Sequence, residues 1–175
     1  MIDKLTRALE LPRAGGLQSH DLPDRRVRDN STRDRSRGLR RLILVVEDDP
    51  DIQSMVAEHL VAEGFDVCLA SDGEMALQVA RERLPGVVCL DLNLPRTSGY
   101  DVCEQIRKDP ALKDISILMT SARRSLDVRV FSLEAGADAY LTKPYGLDQL
   151  KHEIEQLFAV HEDVVGYGAS TSKSH

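Results

Sequence analysis

From Leu42 onward the chain alternates short apolar runs with longer stretches whose apolar residues recur every three or four positions. The runs are Leu42–Val46, Phe65–Ala70, Val87–Leu90, Ile115–Met119 and Ala139–Leu141. Each is short and flanked by polar or turn-forming residues, which marks buried strands. The stretches between them carry helical spacing. The first has Ile52, Met55, Val56, His59 and Leu60, and stops at Gly64. The second has Asp72 as a plausible N-cap, carries Ala76, Leu77, Ala80 and Leu84, and halts at Pro85-Gly86. The third, Tyr100–Lys108, turns Val102, Cys103 and Ile106 inward. The fourth spans Leu126–Glu134 and ends at Gly136. The fifth, Leu147–His161, puts Leu147, Leu150, Ile154, Leu157 and Phe158 on one stripe. Five strands and five helices in strict alternation predict an α/β fold, a doubly wound parallel sheet with helices on both faces.

Composition adds an aliphatic core, because 42% of the 175 residues are hydrophobic, 4% are aromatic and none is Trp. No apolar run approaches the ~18 residues of a membrane span, and the first thirty residues hold no apolar segment of a secretory signal. Cys68, Cys89 and Cys103 have no zinc or redox spacing and read as buried free thiols of a reducing compartment. Charge divides the chain. Residues 1–40 carry a net +4, and residues 41–175 a net −10. Residues 1–39 therefore read as a basic, largely disordered arm, 40–161 as the folded domain, and 162–175 as a flexible tail. Within the arm, Met1–Leu11 has the spacing of one short helix, with Ile2, Leu5, Ala8 and Leu9 on one face.

Ligands of such sheets bind outside the carboxyl ends of the strands. Those ends carry Glu47-Asp48-Asp49, then Asp91, then Thr120-Ser121-Ala122, then Thr142-Lys143-Pro144. Carboxylates meeting at one edge repel unless a cation joins them, and Mg²⁺ suits oxygen ligands. Asp48 and Asp91 are candidate direct ligands, and Glu47 a ligand through water. A backbone carbonyl beside Asp91 is a further oxygen. Lys143 and Ser121 would meet phosphoryl oxygens. Together these are the parts for phosphoryl transfer to a carboxylate nucleophile. Taken singly, each has a plainer role: the acidic run as a turn and helix cap, Ser121 as a cap, Lys143-Pro144 as a loop.

The segments LILVVEDDP, VVCLDLNLP followed by SGYD, ILMTSA and GADAYLTKPYG decide between these roles. In order and spacing they resemble the receiver domain of bacterial two-component response regulators, over roughly residues 41 to 160. The resemblance implies a flavodoxin-like sheet of strand order 2-1-3-4-5. It implies Asp91 as phosphoacceptor, Glu47 and Asp48 as the acidic pair, and Asn93 giving its backbone carbonyl to Mg²⁺. It implies Lys143 on the phosphoryl group with a cis bond to Pro144, and Tyr140 as the switch aromatic. The switch hydroxyl is Thr120 or Ser121, and spacing to Asp91 and Lys143 favours Ser121. Pro95 and Gly99 shape the loop by which a partner approaches.

A haloacid-dehalogenase-like phosphatase would need a second Asp two positions after the nucleophile, where Asn93 stands. A receiver-like scaffold without phosphorylation is opposed by the intact set of Glu47, Asp48, Asp91, Ser121 and Lys143. The expected protein is a stand-alone cytoplasmic regulator and not an enzyme beyond slow self-phosphorylation and self-dephosphorylation. Its partners would be a histidine kinase or histidine phosphotransfer protein and a downstream protein target, with a homodimer left open and no membrane. The eight arginines from Arg25 to Arg41 lack interleaved aromatics, so a solvated linker is expected there rather than a nucleic-acid contact.

Overall fold

The computed structural model describes residues 41–167. The arm, its Met1–Leu11 stripe and residues 168–175 lie outside the described residues. The strands are β1 (Leu42–Val46), β2 (Asp66–Ala70), β3 (Val87–Asp91), β4 (Ser116–Ser121) and β5 (Ala139–Thr142). The helices are α1 (Pro50–Ala62), α2 (Gly73–Arg83), α3 (Gly99–Lys108), α4 (Leu126–Glu134) and α5 (Leu147–Tyr167). All strand pairs are parallel, and the order is β2-β1-β3-β4-β5. The chain leaves β1 for β2 on one side and returns to β3 on the other. That reversal opens a crevice between the tips of β1 and β3.

Alternate residues of each strand feed two separate cores. Leu44, Val46, Val88, Leu90, Ile117 and Met119 pack with Ala76, Leu77 and Ala80 of α2 and Val102, Cys103 and Ile106 of α3. Ile43, Val45, Val87, Cys89 and Leu118 pack with Val56 and Leu60 of α1 and Leu150, Ile154 and Leu157 of α5. The helix α4 adds no side chain to either core among the described residues.

Two residues at helical spacing face outward. Met55 and Leu84 are both 49% exposed. Met55 lies off the Val56–Leu60 face of α1. Leu84 is the residue at which α2 ends, in the left-handed region at φ 47, one residue before Pro85. The last helix also runs past His161 to Tyr167, into the segment read as tail. All three cysteines are free and buried. Burial pushes the thiols of Cys68 and Cys103 up to about 11 and that of Cys89 to about 12, so none is poised as a nucleophile.

Candidate functional site

The acidic run after β1 divides its labour. Asp49 caps α1, its Oδ1 accepting the N–H groups of Asp51 at 2.9 Å and Ile52 at 3.2 Å, and Pro50 takes the first turn. Glu47 and Asp48 are left to face the crevice. Carboxylate oxygens of Glu47, Asp48 and Asp91 all lie within 4.8 Å of one another. Glu47 and Asp91 are each 5% exposed, and Asp48 is open to solvent. Gln53, on the first turns of α1, braces this loop by donating to Glu47 O at 3.0 Å and Ala70 O at 2.8 Å. Sequence reasoning passed over Gln53, which has no signal beyond its place near the helix start.

Lys143 reaches the same point from the end of β5. Its Nζ lies 2.6 Å from Glu47 Oε2 and 2.5 Å from Asp91 Oδ2. The Lys143-Pro144 bond is cis, and the Lys143 N–H donates to Ser121 O at 2.8 Å. Asp91 Oδ1 accepts the Asn93 N–H at 2.9 Å, while the Asn93 side chain is exposed. Gly99 presses on the same backbone. Its N–H donates to Leu92 O at 3.0 Å. A Cβ at Gly99 would lie 2.5 Å from Asp91 O. Gly99 therefore holds the phosphoacceptor candidate from behind, a closer role than shaping a loop for partners.

Thr120 and Ser121 are both buried, and Thr120 pairs across the ladder with Asp91. The Ser121 hydroxyl accepts the Arg123 N–H at 3.1 Å. Tyr140, half-buried on β5, donates its hydroxyl to Arg123 O at 2.6 Å. One residue, Arg123, thus links the Ser121 hydroxyl to the Tyr140 hydroxyl. A second brace holds the loop after β3, where Arg96 pairs with Asp72, the N-cap of α2, at 2.7 Å.

Lys143 sets one ammonium against the three clustered carboxylates. Burial raises the Glu47 pKa above its ordinary 4.5 and the nearby Asp91 adds to this, although the Lys143 hydrogen bond pulls the other way. Burial alone would lower the Lys143 pKa, but its bonds to Asp91 and Glu47 raise it. A clustered oxygen set with too little positive charge is suited to a small divalent cation. The sign of the Glu47 shift gives a test in chelator. A carboxyl group that keeps its proton better when folded contributes its full stability below pH 4.5 and loses it as pH rises through the raised value. Glu47→Gln is therefore expected to melt higher than the parent at neutral pH, the gap closing as pH falls toward 4.5. A lower melting temperature at neutral pH would mean that the bond from Lys143 outweighs burial.

The fold, the strand order and the side chains at the strand tips define a class, and comparison with known proteins agrees. The chain belongs to the response regulator receiver domain family, whose model matches residues 43–155, and so to two-component signalling. It is 32% identical over 138 residues to the DNA-binding dual master transcriptional regulator RpaA of Synechocystis, matching 74% of this chain and 57% of RpaA. It is 38% identical to the DNA-binding response regulator MtrA of Mycolicibacterium smegmatis, over 71% of this chain and 54% of MtrA. The chain thus spans about half the length of these curated relatives. By contrast it covers 97% of the CheY-like receiver domain protein of Methanospirillum hungatei, with a TM-score of 0.66, 29% identity and 70% of this chain matched. The expectation that nucleic acid is no partner finds no support in relatives named as DNA-binding. No helix among the described residues is long and apolar enough to cross a membrane.

Proposed function

We propose that this protein accepts a phosphoryl group on Asp91 from a phosphohistidine of a kinase or phosphotransfer protein, and signals through phosphorylation-dependent binding of a protein partner in the cytoplasm. The observation that carries this reading is the position of Asp91, buried at the tip of β3 between Lys143 and the carboxylates of Glu47 and Asp48. An Asp91 carboxylate oxygen attacks the phosphorus. The phosphorus–nitrogen bond of the donor breaks, its electron pair stays on the imidazole, and the imidazole takes up a proton. The product is an acyl phosphate. Lys143 leaves one carboxylate oxygen and follows the phosphoryl oxygens, where its positive charge meets the developing negative charge. Asp48, Asp91 and the Asn93 carbonyl would hold Mg²⁺, with Glu47 reaching it through water. Bound there, Mg²⁺ supplies charge neutralisation for the incoming phosphoryl group.

Readout follows from the Arg123 link. The Ser121 hydroxyl accepts the Arg123 N–H, whereas it would donate its own proton to a phosphoryl oxygen, so turning toward that oxygen draws it off the Arg123 N–H. When Ser121 turns that way, the backbone of Arg123 is released and the anchor of Tyr140 moves with it. Tyr140 then takes a buried position, and the face made by α4, β5 and α5 changes shape for a partner that prefers that state.

Beryllofluoride with Mg²⁺ mimics the acyl phosphate and gives a direct comparison. The 175-residue chain locked in this way is expected to capture at least one protein that the unlocked form does not, and Ser121→Ala is expected to lose the preference. Equal recovery by both forms would contradict the switch and favour a scaffold. Recovery of nucleic acid that is lost at moderate salt, and absent without residues 1–39, would assign the arginine arm an electrostatic output.

A further inference from the structure

A surface helix ordinarily turns its apolar stripe toward the core, and α4 does the reverse. Leu126, Val130 and Leu133 are 74%, 44% and 46% exposed. Their i, i+4, i+7 spacing puts them on one line of the helix. Phe131 beside them is 59% exposed. The side chain α4 buries is Ser132, whose hydroxyl is spent on Val128 O at 2.8 Å. Single exposed apolar residues need no explanation, but several on one helix mark a contact surface.

We propose that this stripe is the docking site of the chain's own N-terminal segment, Met1–Leu11, bound in cis as an amphipathic helix. Three observations select this occupant. The first is fit. Ile2, Leu5 and Leu9 repeat at i, i+3, i+7, so the segment and the α4 stripe each place three anchors over eight residues, about 10 Å of helix. The second is charge. Residues 1–40 carry +4 and the remainder −10, which holds the arm close to the domain. The segment itself balances Asp3 and Glu10 against Lys4 and Arg7, so it meets exposed Arg124 and Arg129 near α4 without net repulsion. The third is reach. Residues 12–40 join the segment to Arg41, whose guanidinium lies 5.3 Å from the Phe65 ring centroid. As a coil this linker has a root-mean-square span of roughly 30 Å, and its extended limit is about 95 Å. A domain of this size is roughly 35 Å across. A linker that matches the distance it must bridge gives an effective concentration in the millimolar range, enough to populate a contact too weak to hold two separate molecules. A partner that reads α4 must then displace the arm.

Hydrogen exchange on the 175-residue chain tests this without any phosphodonor, so its outcome is independent of the Asp91 reading. Peptides covering residues 126–134 and 1–11 are compared between the parent and Leu5→Glu/Leu9→Glu, a change confined to the arm. Docking predicts about two- to tenfold slower exchange in both peptides of the parent, lost in the variant and unchanged on tenfold dilution. The exposed pair Leu126→Ser/Val130→Ser should release residues 1–11 to the same extent. Identical exchange in parent and variants would overturn the proposal. Protection that fades on dilution would also overturn it and assign the stripe to a second copy.

Discussion

Replacing Lys143 with methionine is expected to slow phosphorylation by a small donor such as acetyl phosphate by about 10²–10³-fold, the usual cost of removing one preorganised charge from a transition state. Methionine keeps an unbranched side chain one atom shorter and removes the ammonium that bridges Glu47 and Asp91. Two carboxylates at 5% exposure are then left without their cation. Breaking a buried pair in this way costs about 3–5 kcal/mol. Here the loss should be smallest with Mg²⁺ present, because a cation that binds only the folded state restores stability by mass action. Stability measured in chelator and in Mg²⁺ separates the two effects. If Lys143→Met phosphorylates at the parental rate, Lys143 is a structural brace and no part of the chemistry.

Gly99→Ala is expected to damage site and fold together. The new Cβ would sit 2.5 Å from Asp91 O and 2.8 Å from Leu92 Cα, and both are backbone atoms with no rotamer to yield. Overpacking of this kind costs about 1–3 kcal/mol, and the strain is relieved by moving Asp91. A displacement of about 1 Å at a reacting group can cost about 10²-fold in rate. Phosphorylation of Gly99→Ala, measured well below its lowered melting temperature, is therefore expected to fall far more than the folded fraction. Parental rates in a folded Gly99→Ala protein would show that the loop gives way elsewhere.

Why was so much of this legible from the sequence? Parallel strands buried on both faces read as plain apolar runs, so Leu42–Val46 was recovered to the residue. The helix Leu126–Glu134 was recovered equally well, because Gly136, at positive φ, stops it. Strand tips cannot be read in the same way. There β3 and β4 run on to Asp91 and Ser121, because ladder bonds continue after the apolar side chains stop. Periodicity also failed where a hydrophobic residue has more than one way to satisfy its helix. Leu84 matched the stripe of α2 but serves as its left-handed end. The outward stripe of α4 was invisible for a related reason: spacing shows that apolar residues share a face, not which way the face turns. Within the site, residue types and strand ends marked Glu47, Asp48, Asp91 and Lys143, which the fold brings together. Contacts made through backbone atoms left no such mark. Gln53, Gly99 against Asp91 and the Arg123 link all belong to that class.

The central claim is that Asp91 is the phosphoacceptor, and intact-mass spectrometry after incubation with acetyl phosphate tests it most directly. The parent protein should gain the mass of one phosphoryl group in Mg²⁺, lose it in mild alkali or hydroxylamine, as an acyl phosphate does, and gain none in chelator. Asp91→Asn keeps the size and shape of the side chain and removes the nucleophilic carboxylate, so it should gain nothing. The same gain in Asp91→Asn would contradict the claim and move the chemistry to another residue.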